Sequence, residues 1–302
     1  MLYPSEERTI LMRRMAALTA AVLVFCLGVA FLAHAYPIIV TDDRGRAITI
    51  ASRPERIVSV GALYTEIVVD LGAIGRLIAV GETADNPPAV ADLASVGPSY
   101  APNVELILAF EPDIVLGATD WGGERPTLEA VGLTVLTTPL LTNVGAILES
   151  IRTIGAALGA DAESASLIGR IAAEIVEAEA LVLGRPPVSA AFLYAASPDD
   201  PPYTAGSGAI ENELIFRAGG TNVFADVDGF PQISFEEIVA RDPAVIFTAP
   251  SQIANIVDNP FLQSVSAVAV GRVIGIRASV VSSTHVAEAL RVMIEALHGL
   301  SP

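Results

Sequence analysis

The sequence predicts an α/β fold in which two lobes, each built on a parallel sheet, are joined by one long rigid linker helix. Three observations predict it. Short β-branched runs alternate with segments of helical periodicity, a long stretch without proline divides the chain near its middle, and a pattern from the first half recurs in the second. Strands that alternate with helices are typical of βα units, whose parallel strands are buried on both faces.

The first 35 residues have the pattern of an export signal. Arg13 and Arg14 precede an apolar run that extends from residue 15 to residue 32. The triplet Ala33-His34-Ala35 then fits an A-x-A cleavage site, so we expect a signal peptide over 1–35 and an exported, periplasmic or extracytoplasmic protein. The apolar run approaches the roughly 20 residues that span a bilayer, and a retained N-terminal membrane anchor is the alternative.

Composition limits the classes of partner. The formal net charge is -17, so a nucleic acid or an anionic membrane surface would repel the chain. With 52% hydrophobic and 17% charged residues, the chain is globular and not disordered. The single cysteine, Cys26, lies in the predicted signal segment, so cleavage would leave no disulfide and no thiolate site.

The predicted strands are short, apolar and rich in β-branched residues. A hairpin signal comes first, with Ile38 to Thr41 and Ala47 to Ile50 flanking a polar turn at 42–46. The parallel strands are predicted at Ile57 to Val60, Leu77 to Val80, Ile114 to Leu116, Thr134 to Leu136, Ala190 to Tyr194, Val245 to Phe247 and Val273 to Ile276.

The long middle helix is predicted from Asp161 to Leu183. It is rich in Ala, Glu, Ile and Leu, and a helix of this length reaches about 30 Å, the diameter of a small domain. Gly184 and two prolines then end it. We therefore expect an N-terminal lobe over 36–160, the linker helix over 161–184 and a C-terminal lobe over 185–302.

An internal repeat supports two similar lobes. The segment Val104 to Leu116 matches Phe235 to Phe247 at a constant offset of 131 residues, and each copy shows a glutamate, an acid-proline pair and an apolar strand. A second pair, Glu66 to Gly72 and Glu213 to Gly219, recurs in the same order. Each copy of the longer segment, Val104 to Leu116 and Phe235 to Phe247, predicts a helix with a glutamate in its first turn, then a break and a buried strand.

Several segments carry a resemblance to a known family. They are RIVSVGALYTEIVVDLG at 56–72, NPP at 86–88, PNVELILAFEPDIVL at 102–116, PPYTAGSGAIENELIFRAGGTNVF at 201–224 and FPQISFEEIVARDPAVIF at 230–247. These segments resemble the periplasmic substrate-binding proteins of cobalamin and iron-siderophore ABC importers. The resemblance implies two Rossmann-like lobes and a transported metal chelate, a cobalamin-type corrinoid or a ferric siderophore, held between them.

The resemblance also implies partners. They are a membrane permease with its ATPase, and a small-molecule chelate. No nucleic acid is expected as a partner, and the chain is expected to be a monomer. In the family, a glutamate on each lobe docks to arginines of the permease, and the matching residues are Glu105 and Glu236. First-turn acids are also favoured by the helix dipole, so a purely structural role for both is the alternative.

The ligand is expected where loops follow the carboxyl ends of the strands. Aromatic rings there would suit a large chelate. Arg125 would either pair with an anionic chelate or corrinoid carboxamides or be solvated, and His285 would either touch the ligand or cap the last helix. The candidates are Ala62, Leu63, Tyr64, Thr83, Tyr100, Trp121, Gly122 and Arg125 in the first lobe, and Tyr203, Phe230 and Ser282 to His285 in the second.

Departures from the family pattern keep other ligands open. Cobalamin-binding relatives carry aromatic residues near Thr83 and Ser99, where this chain has none, although Tyr100 is one position away. Asn86 stands where haem-binding relatives place an iron-ligating tyrosine. The absence of that tyrosine disfavours haem, which remains the alternative to a corrinoid or siderophore ligand. After the leader only His285 and His298 remain as imidazoles, too few for a bare zinc site of about four ligands. A purely organic ligand is also open.

The sequence does not favour an enzyme. The triplet at 206–208 lacks the outer spacing of a nucleophile elbow, and a phosphate-binding loop of the Gly-Lys-Ser type is excluded because the chain has no lysine. The competing classes are an exported α/β enzyme and a membrane-anchored receptor.

Overall fold

The computed structural model describes residues 36–83, 85–117 and 124–300. The predicted signal segment, and with it the choice between cleavage and anchoring, lies outside the described residues, as do Trp121 and Gly122. Within the described ranges, no helix is both long enough and apolar enough to cross a membrane.

The N-terminal lobe begins with the predicted hairpin and continues into a parallel sheet. Strands β1 (Ile38–Thr41) and β2 (Ala47–Ile50) pair antiparallel, which confirms the hairpin. Five parallel strands follow in the order β5-β4-β3-β6-β7. Their bounds are β3 Ile57–Ser59, β4 Leu77–Glu82, β5 Ala94–Pro98, β6 Ile114–Leu116 and β7 Val135–Leu136.

Helices cover both faces of this sheet. They are α1 Ala62–Asp70, α2 Val104–Ala109, α3 Glu124–Ala130 and α4 Val144–Leu158, with short 3-10 turns at Ile74–Arg76 and Pro88–Val90. Alternate strand residues enter different cores because successive side chains in a strand point to opposite faces. Ile57 joins the core that contains Ile147 of α4, whereas Val58 joins the core that contains Ile107 of α2.

The predicted linker helix is confirmed as α5, Asp161–Ala180. The next residues form a turn that ends at Gly184 in the left-handed region (φ 75°), so the helix is three residues shorter than predicted. Its buried face, which includes Leu167, Ile171 and Ile175, belongs to the same core as residues from both sheets. The helix therefore packs against both lobes.

The C-terminal lobe repeats the arrangement. Its parallel strands follow the order β10-β8-β11-β12, and β9 pairs antiparallel with β8. The strands are β8 Val188–Tyr194, β9 Tyr203–Thr204, β10 Gly220–Asn222, β11 Val245–Thr248 and β12 Val273–Gly275. The helices are α6 Ile210–Arg217, α7 Phe235–Arg241, α8 Ile253–Val257, α9 Ser266–Ala269, α10 Ala278–Val281 and α11 Val286–His298, with a 3-10 turn at Pro250–Gln252.

The backbone confirms the internal repeat. Glu111 and Asp242, the acids of the two acid-proline pairs, both adopt left-handed φ values, 47° and 43°. Gly72 and Gly219, which close the second repeated segment, have φ values of 70° and 72°. Such values favour glycine because side chains rarely tolerate them. The two lobes therefore share local geometry as well as sequence pattern.

Candidate functional site

Two close approaches shape the carboxyl edge of the first sheet. A Cβ at Gly81 would lie 2.2 Å from the carbonyl oxygen of Val60, so strand β4 can pass this point only with glycine. A Cβ at Gly117 would lie 2.6 Å from the ring of Tyr64. The Tyr64 hydroxyl accepts a hydrogen bond from the Thr138 backbone N–H at 3.0 Å, and burial raises the pKa of this tyrosine. The ring of Tyr64 is therefore a supporting element of the predicted site.

A cavity of about 200 Å³ lies between the lobes at this edge. Residues from α1 and from the segment after β4 face residues around α10 across it. Its lining is Ala62, Leu63, Glu66, Asp85, Ser279, Ser282 and Ser283. Two predicted ligand residues, Ala62 and Leu63, thus meet the predicted serine stretch of the opposing lobe.

Glu66 links the lobes beside this cavity. Its carboxylate accepts a hydrogen bond from the Thr284 backbone N–H at 3.1 Å, and its other oxygen lies 3.2 Å from Nε2 of His285. Burial raises the pKa of Glu66, while the His285 charge and the Thr284 hydrogen bond act in the opposite direction. His285 is half-exposed and occupies the N-cap position of α11. It therefore contributes to the contact between the lobes.

Glu213 makes the corresponding contact in the other direction. Its Oε2 accepts a hydrogen bond from the backbone N–H of Val144, the first residue of α4, at 2.9 Å. Glu66 and Glu213 are the first residues of the second repeated segment. The Val144 N–H belongs to the first turn of a helix, where such groups lack an intrahelical acceptor, and Thr284 lies two residues before α11. We call these two contacts the interlobe clasp.

A larger cavity lies within the N-terminal lobe. Its volume is about 730 Å³, and Thr83 and Tyr100, both predicted ligand residues, line it. Tyr100 is 83% exposed. Asn86, Pro87, Pro88, Leu93 and Pro98 complete much of a mostly apolar wall. The residues between β4 and β5 therefore border both cavities.

The C-terminal lobe presents aromatic residues in the predicted region. Tyr203 and Phe230 are each 50% exposed, and the Phe230 ring lies edge-on to Tyr194 with centroids 5.9 Å apart. The Tyr194 hydroxyl is 2.6 Å from Oε1 of Glu211, which is buried. Burial raises the pKa of both groups. A buried acid thus holds the ring that supports Phe230.

Arg125 has a structural environment. Its side chain is 2% exposed and forms two hydrogen bonds with Asp43, at 2.6 and 2.8 Å. Asp42 lies 3.9 Å away, and the hydrogen bond with Asp43 raises the pKa of Arg125. This burial contradicts the solvated position considered for Arg125. The guanidinium joins α3 to the hairpin turn, so we do not carry it into the proposed ligand site.

The predicted docking glutamates occupy equivalent surface positions. Glu105 follows the N-cap Asn103 of α2, and Glu236 follows the N-cap Ser234 of α7. Both are exposed. Their carboxylates therefore face solvent in the first turns of matched helices.

Sequence reasoning missed several residues of the interlobe cavity. Glu66, Asp85 and Ser279 were not among the predicted ligand residues, although all three line it. Arg277, exposed between β12 and α10, lies two residues before Ser279. The signal for Glu66 was present in the second repeated segment, which paired it with Glu213. Among the described residues, no group of three or more His, Cys, Asp or Glu side chains is arranged to hold a metal ion.

Two α/β lobes, each built on a sheet of parallel strands, with a cavity between them are typical of a two-lobed binding protein. Residues 57–280 match the family model described as "Periplasmic binding protein", and the chain belongs to this family.

Its curated relatives include a "Cobalamin-binding protein" of Halobacterium salinarum, 30% identical over 72% of this chain and 60% of that protein. The match therefore spans less than two thirds of that relative's length. A "Vitamin B12-binding protein" of Vibrio cholerae is 29% identical over 67% of this chain and 72% of the relative.

Solved structures agree on the fold. An Fe3+-hydroxamate transport system protein from Saccharomonospora viridis superposes with a TM-score of 0.76 at 23% identity, over 87% of this chain and 100% of that chain. The periplasmic heme-binding protein RhuT from Roseiflexus sp. RS-1 superposes with a TM-score of 0.74 at 25% identity, over 81% and 99%.

Proposed function

We propose that this protein is the extracytoplasmic substrate-binding component of an ABC importer. It captures a metal chelate, a corrinoid or a ferric siderophore, between its lobes and delivers it to the membrane permease. The observation that carries the proposal is the cavity formed jointly by α1 and the segment around α10, at the carboxyl edges of the two sheets. Open α/β sheets bind ligands at that edge.

Names of relatives support the chelate class. The relatives are named for cobalamin or vitamin B12, and the similar structures for Fe3+-hydroxamate or heme. The exposed rings of Tyr100, Tyr203 and Phe230 suit a large amphipathic ligand. We therefore take corrinoids and ferric siderophores as the first probes.

Isothermal titration of the purified exported protein tests the ligand. Cyanocobalamin, a ferric trihydroxamate, a ferric catecholate and haem are titrated separately. One-to-one binding of a corrinoid or siderophore is the expected result. Binding of haem alone would favour the haem-binding alternative, for which RhuT is the supporting likeness. Chemical conversion of a probe by the protein would favour an enzyme.

The docking role of Glu105 and Glu236 is part of the proposal. An exposed ion pair contributes about 0–1 kcal/mol, so the two carboxylates act on orientation and partner choice more than on affinity. Reversing both, Glu105→Arg with Glu236→Arg, is expected to abolish uptake of the labelled chelate by cells and to leave titrated ligand affinity unchanged. Loss of ligand affinity in this variant would contradict the docking role.

A matched control uses exposed glutamates away from α2 and α7. Glu149 and Glu177 are exposed on α4 and α5, and reversing both to arginine makes the same change in charge. Uptake is expected to remain at the wild-type level in this control. If the control lost as much uptake as the variant with Glu105→Arg and Glu236→Arg, the loss would be due to the change in net charge and not to docking.

Export and a monomeric state belong to the same proposal. Mass spectrometry of the exported protein is expected to find Tyr36 at the N-terminus. An intact apolar leader in the membrane fraction would instead indicate an anchored receptor.

A further inference from the structure

An exposed pair of aromatic rings lies beside one of the two proposed docking glutamates. Phe235, the first residue of α7, and Phe261, in the loop between α8 and α9, have ring centroids 5.4 Å apart and ring planes 8° from parallel. Phe261 is 64% exposed, whereas Phe235 is partly buried and packs against the core. We call this pair the aromatic stack. Glu236 directly follows Phe235 in the first turn of α7, so the stack and the carboxylate adjoin one another.

The loop that carries Phe261 is held in place by hydrogen bonds. The buried side chain of Asn259 donates from Nδ2 to the carbonyl oxygen of Pro198 at 2.8 Å. Its Oδ1 accepts from the backbone N–H of Phe261 at 2.9 Å. Nε2 of Gln263 donates to the carbonyl oxygens of Val257 and Asn259, each at 2.8 Å. A loop ordered in this way loses little conformational freedom when its exposed ring enters an interface, and such preorganisation favours binding.

The first lobe does not repeat the aromatic stack. In the longer repeated segment, Val104 stands where the second lobe has Phe235, so one of the two rings is missing there. The glutamates that follow, Glu105 and Glu236, do match. A partner that recognised only these two carboxylates could bind the protein in two orientations, with the lobes exchanged. The aromatic stack makes the two docking surfaces different.

The size and charge of this surface indicate its partner. A fully buried aromatic side chain contributes about 150–250 Å², so two rings supply only part of the roughly 1,200 Å² that a stable interface buries. The stack therefore belongs to a larger contact that includes Glu236. A second copy of this chain would bring like charge to that glutamate, because the formal net charge is -17. A basic surface with an apolar side chain complements both features.

We propose that the aromatic stack is an apolar docking contact for the permease, which receives a permease loop whose apolar side chain lies next to the arginine that pairs with Glu236. Aromatic residues that lose water contribute most of the affinity of many interfaces, whereas an exposed ion pair contributes little. The stack thus supplies affinity, and its presence on one lobe fixes which way round the protein docks. The inference rests on the proposed function, because it assumes that Glu236 docks to a permease.

Site-specific crosslinking in cells tests the identity of the partner. The photoreactive residue p-benzoylphenylalanine replaces Phe261 in the full chain, and crosslinked products are identified by mass spectrometry. Illumination is expected to join position 261 to the permease subunit of an ABC importer. Phe216 is the control position, because it is 77% exposed on α6, which packs on the opposite face of the second sheet from α7. Permease crosslinks of equal yield from both positions would overturn the inference.

Binding of the purified protein to the permease–ATPase complex in lipid nanodiscs measures the contribution of the ring. Phe261→Ala is expected to weaken binding about tenfold, because it removes an exposed ring from the interface. Phe261→Tyr keeps the stacked ring and should retain the affinity, and Phe216→Ala is the matched control without effect. In about 1 M salt, where the Debye length is about 3 Å, the loss in Phe261→Ala should persist. The loss in the variant with Glu105→Arg and Glu236→Arg should shrink under the same conditions.

The outcomes separate the inference from the proposed function. Wild-type affinity in Phe261→Ala, together with lost binding in the variant with Glu105→Arg and Glu236→Arg, would overturn the inference and leave the docking glutamates standing. If the wild-type protein binds no ABC permease, the proposed function fails together with the inference. Thermal unfolding followed by circular dichroism is expected to be the same for Phe261→Ala and wild type, because the replaced ring is mostly exposed.

Discussion

Removing the interlobe clasp should loosen the connection between the lobes. The perturbations are Glu66→Leu and Glu213→Leu, which remove the acceptor and retain a side chain of moderate size. Glu66 loses a contact to a buried N–H of Thr284, and Glu213 loses a contact to the N–H of Val144. Each change removes a hydrogen bond between lobes, and Glu213→Leu also removes the ion pair with Arg217 on its own helix.

The expected magnitudes follow from burial. A hydrogen bond to a charged acceptor contributes about 1.5–3 kcal/mol. Glu66 is 8% exposed, and its raised pKa means that burial offsets part of this gain, so we expect a loss of about 2 kcal/mol in the free energy of unfolding. The Glu213 side chain is 25% exposed, so water replaces much of its contact and the expected loss is about 1 kcal/mol.

Urea unfolding followed by circular dichroism measures these losses. Small-angle scattering of each folded variant reports whether the radius of gyration increases. Glu149→Leu is the control, because Glu149 is exposed and pairs with Arg152 on its own helix. The reasoning would be refuted if the free energy of unfolding of both clasp variants lay within about 0.5 kcal/mol of the wild-type value and their radius of gyration were unchanged.

Three further variants test local features. Arg125→Met should lower the free energy of unfolding by about 1–2 kcal/mol, since the Asp43 side chain that loses its partner is 25% exposed and water can solvate it, and should preserve ligand affinity; unchanged unfolding with lost affinity would make Arg125 a ligand residue. Because the pKa of Glu211 is raised, its ionised form destabilises the fold, and wild-type stability to urea should fall as pH rises from about 4.5 through that raised pKa. Glu211→Gln should remove this fall, and an identical pH profile would contradict the assignment. Gly81→Ala should cost about 2 kcal/mol or more in thermal unfolding, because its Cβ would meet the Val60 carbonyl at 2.2 Å; a wild-type melting curve would contradict this.

The main strands were predictable because each is a short apolar run buried on both faces. All seven predicted parallel strands are present, with ends shifted by two residues or fewer. Strands β5, β9 and β10 were missed. Strand β5 contains Ser, Gly and Pro, and β10 is Gly-Thr-Asn. These edge strands are set by pairing with β4 and β8, which local composition does not encode.

The candidate site was less predictable than the fold. The sequence predicted that Ala62 and Leu63 lie at the carboxyl edge of the sheet because they follow a strand, and they line the interlobe cavity there. It could not separate Tyr64, whose hydroxyl is engaged by Thr138, from rings that face the cavities. Arg125 similarly required the three-dimensional contact with Asp43, which lies 82 residues away along the chain. Partners distant in sequence decide whether a polar side chain supports the site or lines it.

The connection between the lobes bears on how a bound ligand could be sensed. One continuous core contains Ile57 of the first sheet, Ile171 of the linker helix and Phe192 of the second sheet. Domains joined by a large apolar interface move little relative to one another. The clasp adds two directional contacts, and one of them, at Glu66, lies on the wall of the interlobe cavity. A ligand in this cavity would therefore lie beside one of the contacts that join the lobes.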